Sequence, residues 1–89
     1  MVSALEFKVE YTQKALKFME SIAKKEAVRL YKKIGIIKSN PIHYIEKLTS
    51  VDLWKLRVGD FRIIIRLNRG AGIISVVDIG HRRNVYKRL

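Results

Sequence analysis

Hydrophobic and charged side chains alternate at the beginning of the chain. In an extended segment, four apolar side chains would lie on one face and three charged side chains on the other. These are Leu5, Phe7, Val9 and Tyr11 against Glu6, Lys8 and Glu10. The alternation predicts a half-buried strand over 5–11. Thr12 is the predicted N-cap of a helix that begins at Gln13, since a threonine hydroxyl can accept from the first free N–H groups of a helix.

From residue 13 the apolar period lengthens to that of a helix. Two sets with helical spacing follow each other, with a shift of face between them. They are Leu16, Met19, Ile22 and Ala23, and then Ala27, Leu30, Tyr31 and Ile34. This predicts two helices or one bent helix over roughly 13–22 and 24–37. Asn40-Pro41 ends the segment, and residues 42–52 are ambiguous, with at most one helical turn around 44–48.

A period of two returns in the second half of the chain. Trp54, Leu56 and Val58 would face one way, and Leu53, Lys55 and Arg57 the other. Gly59-Asp60 is typical of a two-residue hairpin turn. The return strand over 61–67 would point Phe61, Ile63, Ile65 and Leu67 inward. After a second turn at 68–72, the segment 73–79 is apolar on both faces, which predicts an interior strand, and a short basic tail follows from 80 to 89.

The elements follow the order β-α-α-β-β-β. They predict an α+β fold with a mainly antiparallel four-stranded sheet and two N-terminal helices packed on it. The 89 residues are expected to form one domain. No apolar run approaches the ~20 residues of a membrane span, and no signal-peptide core begins the chain, so we expect a cytoplasmic protein. The chain has no cysteine, which excludes disulfides, thiolate metal sites and a cysteine nucleophile.

Charge narrows the classes of partner. Nineteen Lys and Arg residues against eight Asp and Glu residues give a net charge of +11. Such a balance favours nucleic acid, an anionic membrane or an acidic protein as the partner. Residues 1–52 carry a net charge of +4 and residues 53–89 carry +7. The functional site is therefore expected in the shorter second part.

The predicted hairpin brings cations together on one face of the sheet. In a two-residue hairpin Arg57 lies opposite Arg62, on the face away from Trp54, and like charges directly opposite each other repel. The same surface is expected to hold further cations, namely Lys55, Arg66, Arg82 and Arg83. Carboxylates are scarce there, so an RNA phosphate would relieve the repulsion. The alternative is that the long side chains fan out into water, which is the usual fate of a single surface arginine.

The tail over 80–89 combines four cations, an imidazole and a phenol without any acid. Aromatic rings among arginines suit single-stranded RNA, because the bases stack and the cations hold phosphates. The alternative is a frayed basic terminus. The predicted RNA-binding residues are Arg66, His81, Arg83, Lys87 and Arg88.

Two segments resemble a known family. Residues 54–62, WKLRVGDFR, resemble the WRxRVGDYR-type hairpin of the RelE/ParE toxin superfamily. Residues 80–86, GHRRNVY, resemble the GHRxxVY ending of its RelE branch. The length and the element order are similar over essentially the whole chain. The hairpin is shared across the superfamily and indicates the fold, whereas the tail favours the RelE branch over the ParE branch, which inhibits gyrase.

The resemblance implies a RelE-like, microbial-RNase-type fold and a function. RelE toxins cut messenger RNA in the ribosomal A site without a metal or a cofactor, and a cognate acidic RelB-like antitoxin restrains them. The implied partners are that antitoxin, the ribosome and mRNA, with no membrane. The catalytic residues carried over by position are Lys55, Arg57, Arg62, Arg82 and Tyr86. Leu53 departs from the pattern, because some RelE enzymes have a lysine there.

These side chains also suit RNA cleavage by its own 2′-hydroxyl. Crowding by Arg57 and Arg62 would make the neutral amine of Lys55 more accessible as a base. Arg62 and Arg82 would brace the phosphate as charge develops, and Tyr86 would stack on a base or transfer a proton. His81 is an alternative acid or base. Two other functions stay open: a ParE-like topoisomerase inhibitor without catalysis, and a non-catalytic nucleic-acid or ribosome-binding module.

Overall fold

Helices and strands follow each other closely along the chain. A computed structural model describes residues 6–48 and 51–81. Over these residues the chain forms three helices and five strands. They are β1 (Lys8–Tyr11), α1 (Gln13–Ser21), α2 (Lys24–Ile37), α3 (Pro41–Tyr44), β2 (Glu46–Lys47), β3 (Trp54–Val58), β4 (Phe61–Asn68) and β5 (Ile73–His81). No helix within the described ranges is long and apolar enough to cross a membrane.

The sheet has the strand order β1-β5-β4-β3-β2. Strand β1 runs parallel to β5, and the other neighbours are antiparallel. The predicted α+β class with a mainly antiparallel sheet is confirmed. The described part of the sheet has five strands instead of four, because Glu46–Lys47 pairs with the beginning of β3. Both residues of β2 are exposed, so the sequence contains no apolar alternation that would predict this strand.

The two long helices lie where the periodicity predicted them. Thr12 caps α1, since its hydroxyl oxygen accepts from the backbone N–H of Ala15 at 3.2 Å. The same hydroxyl donates to the carbonyl of Val77 at 2.8 Å, which ties the beginning of α1 to β5. Pro41 is the first residue of α3, a position where its missing N–H leaves no helical hydrogen bond unmade. This segment was not predicted as a helix.

The core lies between the helices and one face of the sheet, called the helix-side face here. The inward positions predicted for β4 are confirmed, because Phe61, Ile63 and Ile65 are buried in the core cluster. Trp54 and Leu67 are partly buried and pack against it. The remaining buried members are Ala15, Met19, Leu30, Ile34, Ile37, Ile45, Leu56, Val58, Ile74, Val76 and Ile79. Leu16 and Tyr31 were predicted on the inner helix faces but are exposed.

A β-bulge interrupts the pairing of β4 with β5. Ile64 pairs with Asp78 and Ile65 pairs with Val76, so Val77 is an extra residue on β5. A bulge inserts one residue into one strand while the partner keeps its alternation. Val76 and Ile79 both join the core cluster although they are three positions apart. This shift of face explains why the core positions Val76 and Ile79 are separated by three residues and not by an even number.

Candidate nucleic-acid interface

The sheet face opposite the helices carries the predicted cations of β3 and β4. The register confirms that Arg57 pairs directly with Arg62. Alternation along the strands puts Lys55 on the same face as Arg57, and Arg66 on the same face as Arg62. These four residues form what is called here the basic sheet face. The four cations that the hairpin was expected to bring together therefore share one surface.

The middle of the basic sheet face is buried. Arg62 is 5% exposed and Ile64 is 0% exposed, although Ile64 does not belong to the core cluster beneath the helices. Arg57 and Arg66 are exposed at the two sides. The alternative interpretation, in which the long side chains fan out into water, therefore does not hold for Arg62. This surface therefore consists of two exposed arginines on either side of a buried centre.

A buried carboxylate lies on the same face. Asp78 is 4% exposed, and it pairs with Ile64, while Arg62 pairs with Gly80. Arg62 and Asp78 are thus diagonal neighbours on two adjacent strands, a separation that long side chains can span. Asp78 accepts from the backbone N–H of Ile79 at 2.9 Å, and its Oδ2 lies 3.6 Å from Nζ of Lys14.

A second carboxylate contacts the predicted general base. Oε1 of Glu46 lies 3.5 Å from Nζ of Lys55. The Lys55 side chain is 24% exposed and the Glu46 side chain 74%. Sequence reasoning missed Glu46 because residues 42–52 had no clear period. The expectation that this face lacks carboxylates is corrected by Glu46 and Asp78, and Lys55 is not surrounded by cations alone.

His81 lies on the other side of the sheet. It pairs directly with Phe61, so the two side chains share the helix-side face. The ring centroids of His81 and Phe61 are 5.0 Å apart, and those of His81 and Phe18 are 6.1 Å apart. The structure does not bring His81 together with Lys55 and Arg62, because its side chain lies on the opposite face of the sheet.

An open cavity of about 330 Å³ lies at the junction of α1 and β5. It is lined by Lys14, Lys17, Phe18, Asp78 and Ile79. Asp78 therefore belongs both to the lining of this cavity and to the strand pairs that carry the basic sheet face. No three His, Cys, Asp or Glu residues in the described ranges lie close enough together to hold a metal ion.

The hairpin turn between β3 and β4 fixes the spacing of Arg57 and Arg62. Gly59 has a φ of +58°, a conformation that side chains with a Cβ rarely adopt. A Cβ added there would lie 2.6 Å from Nη2 of Arg29. The guanidinium of Arg29 in α2 therefore lies against the turn and would have to move for a side chain at this position, while the positive φ is what requires glycine.

Five predicted site residues lie outside the described residues. They are Arg82, Arg83, Tyr86, Lys87 and Arg88. Their roles remain sequence-based predictions. The described part of the site consists of Lys55, Arg57, Arg62 and Arg66 with the carboxylates of Glu46 and Asp78.

The architecture matches the fold of RelE and ParE toxins of known structure. The toxin–antitoxin complex RelBE2 from Mycobacterium tuberculosis matches with a TM-score of 0.81 and 14% identity, covering 90% of this chain and 95% of that chain. The intact Escherichia coli RelBE complex matches with a TM-score of 0.74 and 17% identity, covering 88% and 99%. A chromosomal ParDE system from Pseudomonas aeruginosa matches with a TM-score of 0.71 and 13% identity, covering 85% and 96%.

The sequence itself identifies the family. The model of the ParE toxin of type II toxin–antitoxin systems matches residues 9–86. The chain belongs to this family and is a toxin of the RelE/ParE superfamily. No protein of curated function matches the sequence.

Proposed function

We propose that this toxin is a ribosome-dependent, metal-independent endoribonuclease that cleaves mRNA in the ribosomal A site and so inhibits translation. One observation carries the proposal: Arg57 and Arg62 pair across the hairpin with Lys55 on the same face. The direct Arg57–Arg62 pair concentrates positive charge at one place on the sheet, and a phosphate is a ligand that such a surface can bind in addition to its contacts with Glu46 and Asp78. The RelE-like ending over 80–86 supports RNA as its source.

The proposed chemistry is attack by the 2′-hydroxyl of the message on the adjacent phosphate. Lys55 accepts the hydroxyl proton in its neutral amine form, after its ammonium has lost a proton, while Arg62 and Arg82 stabilise the charge that develops on the phosphate oxygens. The departing 5′-oxygen gains a proton, from Tyr86 or, where Tyr86 stacks on a base instead, from water. Cleavage leaves a 2′,3′-cyclic phosphate on the upstream fragment.

This catalytic set is modest, and reliance on the ribosome accounts for it. A ribosome that holds the message in line supplies the orientation that a small protein surface cannot. Arg57, Arg66 and the predicted tail cations Arg83, Lys87 and Arg88 contact the RNA backbone in this proposal. The site of action is then the cytoplasm, where translation takes place.

The proposed regulator is an acidic RelB-like antitoxin. The net charge of +11 supports an acidic partner, and the similar RelBE2 and RelBE structures are toxin–antitoxin complexes. Co-expression with the neighbouring gene product should give a stable complex in which the toxin no longer stops translation. A purified toxin that does not bind that product at micromolar concentration would contradict this part of the proposal.

The deciding experiment is in vitro translation with primer extension on the message. The expected result is cleavage at codon positions that requires ribosomes and continues when free divalent metal is chelated, with ribosome integrity checked separately. Cleavage of naked mRNA at the same rate would contradict ribosome dependence. Activity that is lost with a chelator and restored by Mg²⁺ or Mn²⁺ on intact ribosomes would contradict the metal-independent mechanism.

A second candidate function is inhibition of a DNA topoisomerase without catalysis. The matching family model describes a ParE toxin, and a ParDE system is among the similar structures. A gyrase supercoiling assay separates the two proposals, because a ParE-like toxin inhibits supercoiling and leaves mRNA intact. Inhibited supercoiling together with uncut message would replace the first proposal by the second.

A further inference from the structure

The contact between Glu46 and Lys55 is built into the backbone of the sheet. Strand β2 is two residues long, and its register pairs Glu46 with Lys55 and Lys47 with Trp54. The two side chains of β2 therefore point to opposite faces. Glu46 is the residue that β2 contributes to the basic sheet face, and its Oε1 lies 3.5 Å from Nζ of Lys55.

We propose that Glu46 is an electrostatic guard: its carboxylate occupies the Lys55 ammonium in the RNA-free protein and competes there with an RNA phosphate. The inference rests on the proposed function for the identity of the ligand. It adds a residue that neither the resemblance nor the comparisons assign. Its consequence is weaker binding of RNA that the ribosome does not hold in place.

The exposure of the two partners supports competition. Lys55 is mostly covered, whereas three quarters of the Glu46 side chain is open to water. A phosphate that approaches Lys55 from solvent therefore meets the carboxylate at the entrance. Both anions offer oxygen acceptors to the same ammonium, and an exposed ion pair is weak enough to be exchanged. The carboxylate also repels the incoming phosphate.

The high net charge of the chain explains why a carboxylate beside Lys55 would be useful. A protein with a net charge of +11 binds any RNA backbone electrostatically. A carboxylate beside Lys55 reduces that general affinity at the proposed base. A message aligned by the ribosome supplies many further contacts and can displace it.

The chain offers a matched control on the opposite face. Oδ1 of Asp52 lies 3.1 Å from Nζ of Lys47. The same Nζ lies over the Trp54 ring, 5.4 Å from the ring centroid. Asp52→Asn and Glu46→Gln raise the net charge by the same amount. Only Glu46→Gln removes a carboxylate beside Lys55. The comparison therefore separates local competition from the overall charge.

The test measures the Kd of a fluorescently labelled single-stranded RNA oligonucleotide by anisotropy at fixed ionic strength. Glu46→Gln should tighten binding by about two- to fivefold, the range of a partly exposed ion pair, and Asp52→Asn by clearly less. Lys55→Gln should weaken binding. In the Lys55→Gln background, the gain from Glu46→Gln should fall to that of Asp52→Asn. Glu46→Thr is a second variant with good strand propensity, and thermal melts check that each variant is folded.

The inference is overturned if Glu46→Gln and Asp52→Asn change the Kd equally. A gain that persists undiminished without Lys55 would also overturn it, because the carboxylate would then act elsewhere. If Lys55→Gln leaves the Kd unchanged, both this inference and the proposed RNA face fail. If the binding pattern holds while ribosomes show no mRNA cleavage, the guard stands and only the proposed activity fails.

Discussion

The two faces of the sheet use the same strands in different ways. On the helix-side face, Ile63 and Ile65 are fully buried among other apolar side chains. On the basic sheet face, alternate residues of the same strand, Arg62 and Ile64, are also buried. One face excludes water with hydrocarbon alone. The other combines hydrocarbon with a cation and the carboxylate of Asp78, which is 4% exposed.

The difference shows what a functional face requires. Burial of hydrocarbon stabilises the fold wherever it occurs, whereas burial of a charge is unfavourable unless it is paired and hydrogen-bonded. Arg62 and Asp78 are buried as diagonal neighbours of opposite sign. On the basic sheet face, charges of opposite sign are therefore placed next to each other. Substitutions of its charged residues should mainly lower activity, whereas substitutions in the core should mainly lower the folding free energy.

The largest expected contrast lies between Arg82→Ala and Trp54→Ala. Arg82 follows β5 directly in sequence and is the predicted phosphate-binding cation, so its loss should lower the cleavage rate a hundredfold or more, about 2.7–4 kcal/mol in barrier. Its effect on stability should be about 0.5 kcal/mol. Trp54 packs against the core, and its truncation should cost about 3 kcal/mol of folding free energy. Growth assays and melting curves measure both effects.

Two outcomes would contradict this contrast. A fully toxic Arg82→Ala would show that the active surface lies elsewhere. An Arg82→Ala variant that melts as early as Trp54→Ala would show that Arg82 acts as part of the scaffold.

A second pair of variants tests the burial of the two faces at neighbouring positions. Ile63 and Ile64 are both 0% exposed but point to opposite faces. Truncation of a fully buried isoleucine to alanine costs about 2–5 kcal/mol, so Ile63→Ala and Ile64→Ala should both fall in this range by chemical denaturation. A cost of less than about 1 kcal/mol for Ile64→Ala alone would mean that the basic sheet face is open in solution.

The residues of β4 on the helix-side face could be predicted from the sequence, because the two-residue alternation of a strand determines which side chains point inward. Phe61, Ile63 and Ile65 alternate with polar or outward positions, and the pattern needs no knowledge of distant partners. Strand β2 could not be predicted, since its two residues are exposed and gain their conformation from pairing with β3. Tertiary pairing overrides weak local preference in such segments.

The candidate site was predictable only in part for the same reason. The Arg57–Arg62 pair follows from the hairpin turn, which is a local feature. The burial of Arg62 and the positions of Glu46 and Asp78 depend on contacts between segments far apart in sequence. His81 was predicted near the cations, but its direct pairing with Phe61 puts it on the helix-side face.

A smaller effect is expected at the turn where the chain passes from β3 to β4. Gly59 and Gly72 have φ values of +58° and +71°, so alanine at either position should cost about 1–2 kcal/mol. Gly72→Ala meets open space, whereas Gly59→Ala must displace the guanidinium of Arg29. Gly59→Ala should therefore destabilise more, and an Arg29→Ala background should reduce the difference. Equal losses in both backgrounds would show that Arg29 does not press on the turn.

The smallest expected effect concerns Tyr11 at the edge of the helix-side face. Burial, and secondarily the neighbouring Tyr31, raises its pKa from 10.0 to about 12; the two ring centroids are 5.5 Å apart. The unfolded chain then loses this proton at lower pH than the folded protein does. The associated stability is fully present below pH 10 and is lost as the pH rises towards about 12. Denaturation of the native protein and of Tyr11→Phe across this window should show a steeper loss for the native protein, and the tyrosinate absorbance of the native protein should contain a late component that Tyr11→Phe removes. If the native protein and Tyr11→Phe lose stability in parallel as the pH rises, the Tyr11 hydroxyl is solvated and its burial does not affect stability.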